Sequence, residues 1–360
     1  MDELTLLRSL GKDVVDPSTE LLDRGRSALV HHIGSRPAKK SYRGLKRAGW
    51  IGGATVVAAG VAAVLVLSNV VGFAGWRGGA DAAAAAALSD AAAATIKTSD
   101  PVIGQGQFLK VSTQAVSTAQ TQDAQGEIAV YSVTQNGQMY IPADHNDEWV
   151  WVREPSAVAQ TFGPASERAA AAAAVSLRTA PDLIRAAKGA WYNGQPTAWG
   201  FNSLPRDPQQ LLNYIYRTTV GQGVSPDGQA LVFIADTLRT GAVPADLRAA
   251  LYDAAAGIPG VKITNQAATL DGRTGIAFGR DETDGVRQEI IIDPNTGLMI
   301  GERQVLLTAN LLPGVPAGES MQWTTVTTTV VDSAPSGGSA CGKGGQPFGG
   351  AGSGQCRFAN

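Results

Sequence analysis

The sequence predicts an α+β fold: an antiparallel sheet with helices inserted in its middle, preceded by one transmembrane helix. Three observations predict it. A long uncharged apolar run lies near the start, β-branched segments separated by turn residues lie on both sides of the middle, and capped helix starts stand between them. Segments of this kind joined by short turns are typical of antiparallel strands. We expect the helices to pack on one face of the sheet and to leave a concave apolar cleft as a ligand site.

The uncharged run predicts a membrane-spanning helix at residues 49–76. About 20 apolar residues in a helix cross a hydrocarbon layer of about 30 Å, and a helix satisfies its own backbone groups there. A buried core helix rarely needs so long an uncharged run, and a signal peptide would not follow a long charged segment. Indole rings prefer the membrane interface. The predicted membrane-interface residues are Arg47, Trp50, Trp76 and Arg77.

The charge on the two sides of this run predicts its orientation. The last six basic residues before it, with no acid between Asp23 and the run, are Arg36, Lys39, Lys40, Arg43, Lys46 and Arg47. The positive-inside rule therefore places residues 1–48 in the cytoplasm and the larger C-terminal part outside the plasma membrane. Membrane lipid is accordingly one expected partner.

The cytoplasmic tail carries two short amphipathic patterns within residues 1–33. Helices of this size do not form a stable core alone, so they need a partner or the membrane surface. Two interpretations stay open: a solvated basic anchor beside anionic lipid, or a docking segment for a cytosolic protein. His31 and His32 have no acid or cysteine at ligand spacing, so we interpret them as a solvated pair.

An Ala-rich juxtamembrane helix is predicted at residues 77–100, and an extracytoplasmic α+β domain at residues 101–335. Within that domain Asp207 and Pro208 start one helix, and Pro244 starts another that ends near Gly257. The remaining middle section is expected to be helical or irregular. The predicted strands are 106–113, 127–135, 138–142, 148–153, 261–265, 268–270, 274–280, 288–292, 298–307 and 321–332.

The C-terminal segment, residues 336–360, is rich in glycine and contains both cysteines of the chain. An even pair of cysteines in an oxidising compartment predicts a disulfide between Cys341 and Cys356. Two cysteines without nearby histidine do not suggest a metal site.

The chemistry of the outer domain predicts no enzyme. Its single histidine, His145, argues against a His-based triad or a multi-His metal centre, and no nucleotide-binding or zinc-protease motif occurs. We therefore expect no catalytic residue, no cofactor and no metal site. Asp144, Asp147 and Glu148 could bind calcium weakly, but an acidic hairpin tip is usually solvated; the same applies to the acids at 281–284. A formal net charge of −2 gives no basic field for nucleic acid.

Five stretches carry a resemblance to a known family. They are residues 1–8, 140–144, 204–208, 247–261 and 292–302. Together they resemble a family of uncharacterised actinobacterial single-pass membrane proteins with the layout of membrane-bound anti-sigma factors. The order of strands also looks like the half-barrels of lipoprotein carriers and sigma regulators, which hold lipid or peptide against a curved sheet. The resemblance implies no catalytic residue, and the tail lacks the zinc-binding set of many anti-sigma factors.

Two functions of different classes follow as expectations. The first is a non-enzymatic envelope protein whose outer domain binds a lipid or peptide ligand. The second is a transmembrane, anti-sigma-like regulator whose residues 1–33 sequester a transcription factor. A hydrolase acting through the acidic hairpin tip is a distant third.

Overall fold

The computed structural model describes residues 78–122, 126–189, 200–309 and 311–341. Within these ranges no helix is both long and apolar enough to cross a membrane. The predicted tail and span at residues 1–76 lie outside the described residues, together with Arg47, Trp50, Trp76 and Arg77. Cys341 ends the last described strand, whereas Cys356 lies outside the described residues. The membrane span, its interface residues and the disulfide therefore stay predictions.

Five α-helices and twelve β-strands are formed by the described part of the chain. The helices are α1 (Ala82–Lys97), α2 (Pro164–Ala174), α3 (Pro208–Thr218), α4 (Pro226–Arg239) and α5 (Ala245–Ala256). The strands are β1 (Phe108–Gln122), β2 (Ile128–Thr134), β3 (Gly137–Pro142), β4 (Glu148–Arg153), β5 (Val158–Thr161), β6 (Asp182–Ala187), β7 (Lys262–Leu270), β8 (Arg273–Asp281), β9 (Val286–Ile292), β10 (Met299–Leu306), β11 (Ser320–Val331) and β12 (Ser339–Cys341).

Side-chain caps fix the starts of three helices. Asp81 accepts a hydrogen bond from the backbone N–H of Ala84 at α1, and Asp207 accepts one from Gln210 at α3. Ser225 does the same for Gly228 at α4. Each cap pairs a donor that the first helical turn would otherwise leave unpaired. The predicted start of α3 at Asp207 and Pro208 is confirmed.

The strands form one open sheet in the order β12-β6-β4-β3-β1-β11-β10-β9-β8-β7, with β2 beside β1 and β5 beside β2. Strands β7 to β11 follow one another as an antiparallel meander. β1 pairs with β3 and β2 on one continuous register, since Thr113 lies opposite Gly137 and Val116 opposite Thr134. The long β1 strand thus links the two parts of the sheet.

The main core lies between helices α1, α3, α4 and α5 and the face of the sheet formed by β7 to β10. Leu211 of α3, Leu231 of α4 and Leu251 of α5 are fully buried there. The sheet contributes alternate residues such as Phe278 and Ile290, as the period of two in a strand requires. The prediction that one face carries the helices is confirmed.

The α+β class and the antiparallel sheet are also confirmed, with three differences of detail. β12 pairs with β6 in parallel, which the long chain between the two strands permits. β1 runs to Gln122 rather than ending at Thr113, because pairing with β2 holds its polar second half. β7 is one strand across the two predicted pieces, with register shifts along it.

Candidate functional site

A cleft of about 610 Å³ opens between helix α4 and the helix-bearing face of the sheet. Strands β1, β3, β4, β9, β10 and β11 line it, so it lies where the two parts of the sheet meet. Its volume falls within the range of about 300–1,000 Å³ that is usual for ligand sites. We call it the α4 cleft. The predicted cleft between sheet and helices is therefore present in the described structure.

One wall of the α4 cleft is apolar. Val111, Met139 and Trp151 lie side by side in one cross-strand row of β1, β3 and β4. Val232 of α4 also lines the cleft. A methionine and a tryptophan beside valines give a broad apolar surface that adapts to irregular shapes.

A row of three glutamines crosses the sheet at the other side of the cleft. Gln288 of β9 lies opposite Gln304 of β10, and Gln304 lies opposite Gln322 of β11. The Gln288 carboxamide donates to Glu302 Oε2 at 3.2 Å. Within the described part of the chain, the carboxamides of Gln304 and Gln322 have no hydrogen-bond partner. Together they offer two NH2 groups, with four N–H donors, and two carbonyl oxygens to a ligand.

Three charged side chains stand together in the cleft. Asp236 and Arg239 are three residues apart on α4, which places them on one helix face, and the Arg239 guanidinium pairs with Asp236. Arg239 Nε also lies 2.9 Å from Glu302 Oε1. The trio carries two carboxylates and one guanidinium, so its formal charge is negative when both acids are ionised.

Glu302 is a mostly buried acid with a raised pKa. Its side chain is 13% exposed, and β10 aims it at α4 from a position beside buried Ile290. The pKa of Glu302 is raised to about 7, chiefly by burial and also by nearby Asp236, while Arg239 and the Gln288 hydrogen bond oppose the rise. A perturbed carboxyl group in a cleft is typical of functional sites.

The acidic residues singled out in the sequence lie elsewhere. Asp144, Asp147 and Glu148 are exposed at the tip between β3 and β4, beside a second cavity of about 820 Å³. The hydrogen bonds that Asp144 accepts from Asn146 lower its pKa. Glu148 pairs with Arg185. No group of potential metal ligands occurs among the described residues.

The acids at residues 281–284 belong to ion pairs or a turn. Asp281 pairs with Lys262 and Arg287, which hold its pKa below the usual range. Glu282 pairs with Arg280. Asp284 accepts a hydrogen bond from the backbone of Val286. These contacts tie strands β7, β8 and β9 together rather than forming a site.

Sequence reasoning missed the residues that line the α4 cleft. Two features of the sequence could have indicated them. Ser225 and Pro226 are a helix cap and a first-turn proline, which predict α4. Glutamines interrupt strands β9, β10 and β11 at positions that lie opposite one another. Which strand positions meet across a sheet depends on register, and register was not predicted.

No protein-family model and no curated protein matches the chain. Similar solved structures include the Pseudomonas aeruginosa MucA/MucB complex, at 8% identity and TM-score 0.22, covering 71% of this chain and 59% of that chain. A structure of MucB with MucA(peri) gives 8% identity and TM-score 0.20, covering 70% and 57%. A DUF1329 family protein from Desulfovibrio piger gives 12% identity and TM-score 0.16, covering 68% and 92%.

The chain thus spans less than two thirds of the length of the two MucB structures. At such identities and TM-scores, these similarities assign the chain neither a family nor a function. The resemblance to actinobacterial single-pass membrane proteins stays a prediction.

Proposed function

We propose that this chain is a non-enzymatic, membrane-anchored protein of the cell envelope whose extracytoplasmic domain holds a lipid or peptide ligand in the α4 cleft. One observation carries the proposal. The sheet face that forms the main core under the helices becomes a cleft beside α4, where an apolar row and two carboxamides without partners in the described structure line the same cavity. Such a combination of apolar wall and convergent polar groups is typical of ligand sites.

A binding role suits this cleft better than catalysis. A carboxyl group with a raised pKa also serves as a general acid or base, and Glu302 has one. Among the described residues that line the cleft, however, none is a histidine or a cysteine. His145, beside Trp149, lies at the tip between β3 and β4 instead. We therefore assign Glu302 to ligand recognition.

The membrane anchor and the orientation are part of the same proposal. They rest on the uncharged run at 49–76 and on the basic residues before it. In this arrangement, α1 leads outward from the membrane, and the α4 cleft lies in the extracytoplasmic space.

The test is to purify the full-length protein from native membranes and to identify retained lipids and peptides by mass spectrometry. Ala115 lies on β1 within the cleft. Ala115→Phe should fill the cleft and abolish retention. Thr121→Phe adds the same ring at an exposed position of the same strand, outside the cleft, and should retain the ligand.

Loss of retention only in Ala115→Phe, with both variants folded, is the expected result. Equal retention by wild type and Ala115→Phe would contradict a ligand in the cleft. A wild-type protein that retains no ligand, and binds none of the extracted envelope lipids or peptides on addition, would overturn the function.

The second candidate is the transmembrane regulator, favoured by the paired amphipathic patterns at residues 1–33 beside a basic segment. Its test compares the full-length chain with a version lacking residues 1–33. A cytosolic transcription factor that is lost with the tail, with a matching change in transcription, would support it. Unchanged partners and unchanged transcription would contradict it.

A further inference from the structure

The charged trio of the α4 cleft contains more carboxylates than cations, and this imbalance favours a ligand that carries a positive charge. Asp236 and Glu302 share Arg239 between them. Arg303, the next residue along β10, does not complete the trio, because its guanidinium pairs with the buried Glu289. Gln288, on the adjoining strand, is uncharged. When both acids are ionised, the cleft therefore has one more carboxylate than cation, and a ligand cation would balance it.

The glutamine row favours a ligand that has both hydrogen-bond donors and hydrogen-bond acceptors. An alkyl chain forms no hydrogen bond with a carboxamide. A peptide backbone presents N–H and C=O groups, which can pair with the oxygen and with the NH2 group of a glutamine side chain. Gln304 is half-buried and Gln322 is exposed, and within the described residues neither carboxamide has a partner. The two lie on adjacent strands, opposite each other, so both can contact one extended segment.

The apolar wall fits the same ligand. Successive side chains of an extended peptide point in opposite directions. A peptide side chain that contacts the row of Val111, Met139 and Trp151 therefore has neighbours that point away from this row. An apolar wall, a carboxamide row and an acidic group together match a peptide of mixed composition better than a lipid chain.

We propose that the α4 cleft binds an extended peptide segment whose basic side chain lies beside the charged trio, on the sides of Asp236 and Glu302 that Arg239 does not cover, and whose backbone amides pair with Gln304 and Gln322. This inference rests on the proposed ligand-binding function and narrows it to one class of ligand. Apolar side chains of the segment pack on Met139 and Trp151. The ammonium or guanidinium group of the ligand neutralises the excess carboxylate.

The test uses full-length protein in lipid nanodiscs and pooled degenerate peptides that share one fixed central residue. That residue is lysine, its uncharged analogue norleucine, or glutamate. Peptides captured by the protein, and not by empty nanodiscs, are counted by mass spectrometry. We expect at least tenfold enrichment of the lysine pool over the norleucine pool, and exclusion of the glutamate pool.

Substitutions in the α4 cleft test which residues cause the preference for the lysine pool. Asp236→Asn and Glu302→Gln should each reduce the lysine preference several-fold, and together they should abolish it. Gln304→Leu should weaken capture of the lysine and norleucine pools alike, since it removes a backbone contact rather than a charge contact. Asp90→Asn, at an exposed acid of α1 outside the cleft, is the matched control and should change nothing.

The outcomes separate this inference from the function on which it rests. Equal capture of the lysine and norleucine pools, blocked by Ala115→Phe, would overturn the basic-peptide preference and keep the ligand site. No capture of any pool, with lipid retained in the cleft, would overturn the peptide assignment and keep ligand binding. Neither peptide nor lipid binding would overturn both.

Discussion

The two ends of one cross-strand row differ, because one end of the same sheet face lies in the core and the other lines an open cleft. The row runs through Phe278, Ile290, Glu302, Thr324 and Ala115. At its first end the side chains are fully buried under helices. At its other end the same sheet face lines the α4 cleft. Polar residues thus occur in the row from the point where the cleft begins.

The neighbouring row changes in the same direction. Arg280 lies opposite Gln288, and the row continues through Gln304 to Gln322. Arg280 is paired with Asp227 and Glu282 at the buried end, whereas the carboxamides at the cleft end have no partner within the described residues. The guanidinium at the core end of this row is thus paired within the fold, whereas Gln304 and Gln322 at the cleft end leave their carboxamides available.

The largest expected difference between the two ends is in stability. Phe278→Ala removes a ring that is 1% exposed, and it should cost about 3–5 kcal/mol through lost burial and a cavity. Thr324→Ala, in the same row at the cleft, should cost less than about 1 kcal/mol. Urea unfolding of the full-length protein measures both. Equal losses would mean that the cleft end is also core.

The next effect is the pH dependence of stability at Glu302. Burial raises its folded-state pKa from 4.5 to about 7, so the folded state holds a proton that the unfolded state releases. This contribution is fully present below about pH 4.5 and is lost as pH rises through about 7. Glu302→Gln should therefore be more stable than wild type at pH 8, by on the order of 3 kcal/mol, and similar at pH 4.5.

A control is needed because another acid titrates in the same direction. Burial raises the pKa of Asp253 to about 6, against a hydrogen bond with Ser89. Asp253→Asn should shift only the lower part of the pH profile. Parallel stability profiles for wild type and Glu302→Gln between pH 4.5 and 8 would contradict the assignment to Glu302.

A smaller effect is expected where α4 ends beside the cleft. Gly241 has φ +70°, and an added Cβ would lie 2.7 Å from the Val111 side chain. Gly241→Ala combines a left-handed backbone with this close approach and should cost at least about 1–2 kcal/mol. Gly272, at φ +73° with open space around it, is the matched position. An equal cost at both would mean that packing beside the cleft adds nothing.

The smallest effect on stability is expected at the glutamine row. Gln304→Leu and Gln322→Leu remove carboxamides that pair with no described group, so the free energy of unfolding should change by no more than about 0.5 kcal/mol each. Ligand retention should fall in both. A loss of stability as large as that of Phe278→Ala would show that the row serves the fold rather than a ligand.

The sequence was sufficient for the fold class but not for the site. Trp149 and Trp151 alternate with Val150 and Val152, and β4 appears at the predicted bounds, with the tryptophans packed on one face and the valines buried on the other. Asp207 predicted α3 through a local cap. The cleft joins β3, β4, α4 and β10, which are far apart in the chain. Their meeting depends on strand register and helix packing, which local patterns do not encode.

The central claim is that the α4 cleft is occupied in the cell, and photo-crosslinking tests it most directly. A benzoylphenylalanine photoprobe at Val232, on the cleft side of α4, is compared with one at Val220, which is 78% exposed after α3. We expect a discrete adduct from Val232 that excess basic peptide competes away, and none from Val220. Equal adducts at both positions, or none from Val232, would contradict it.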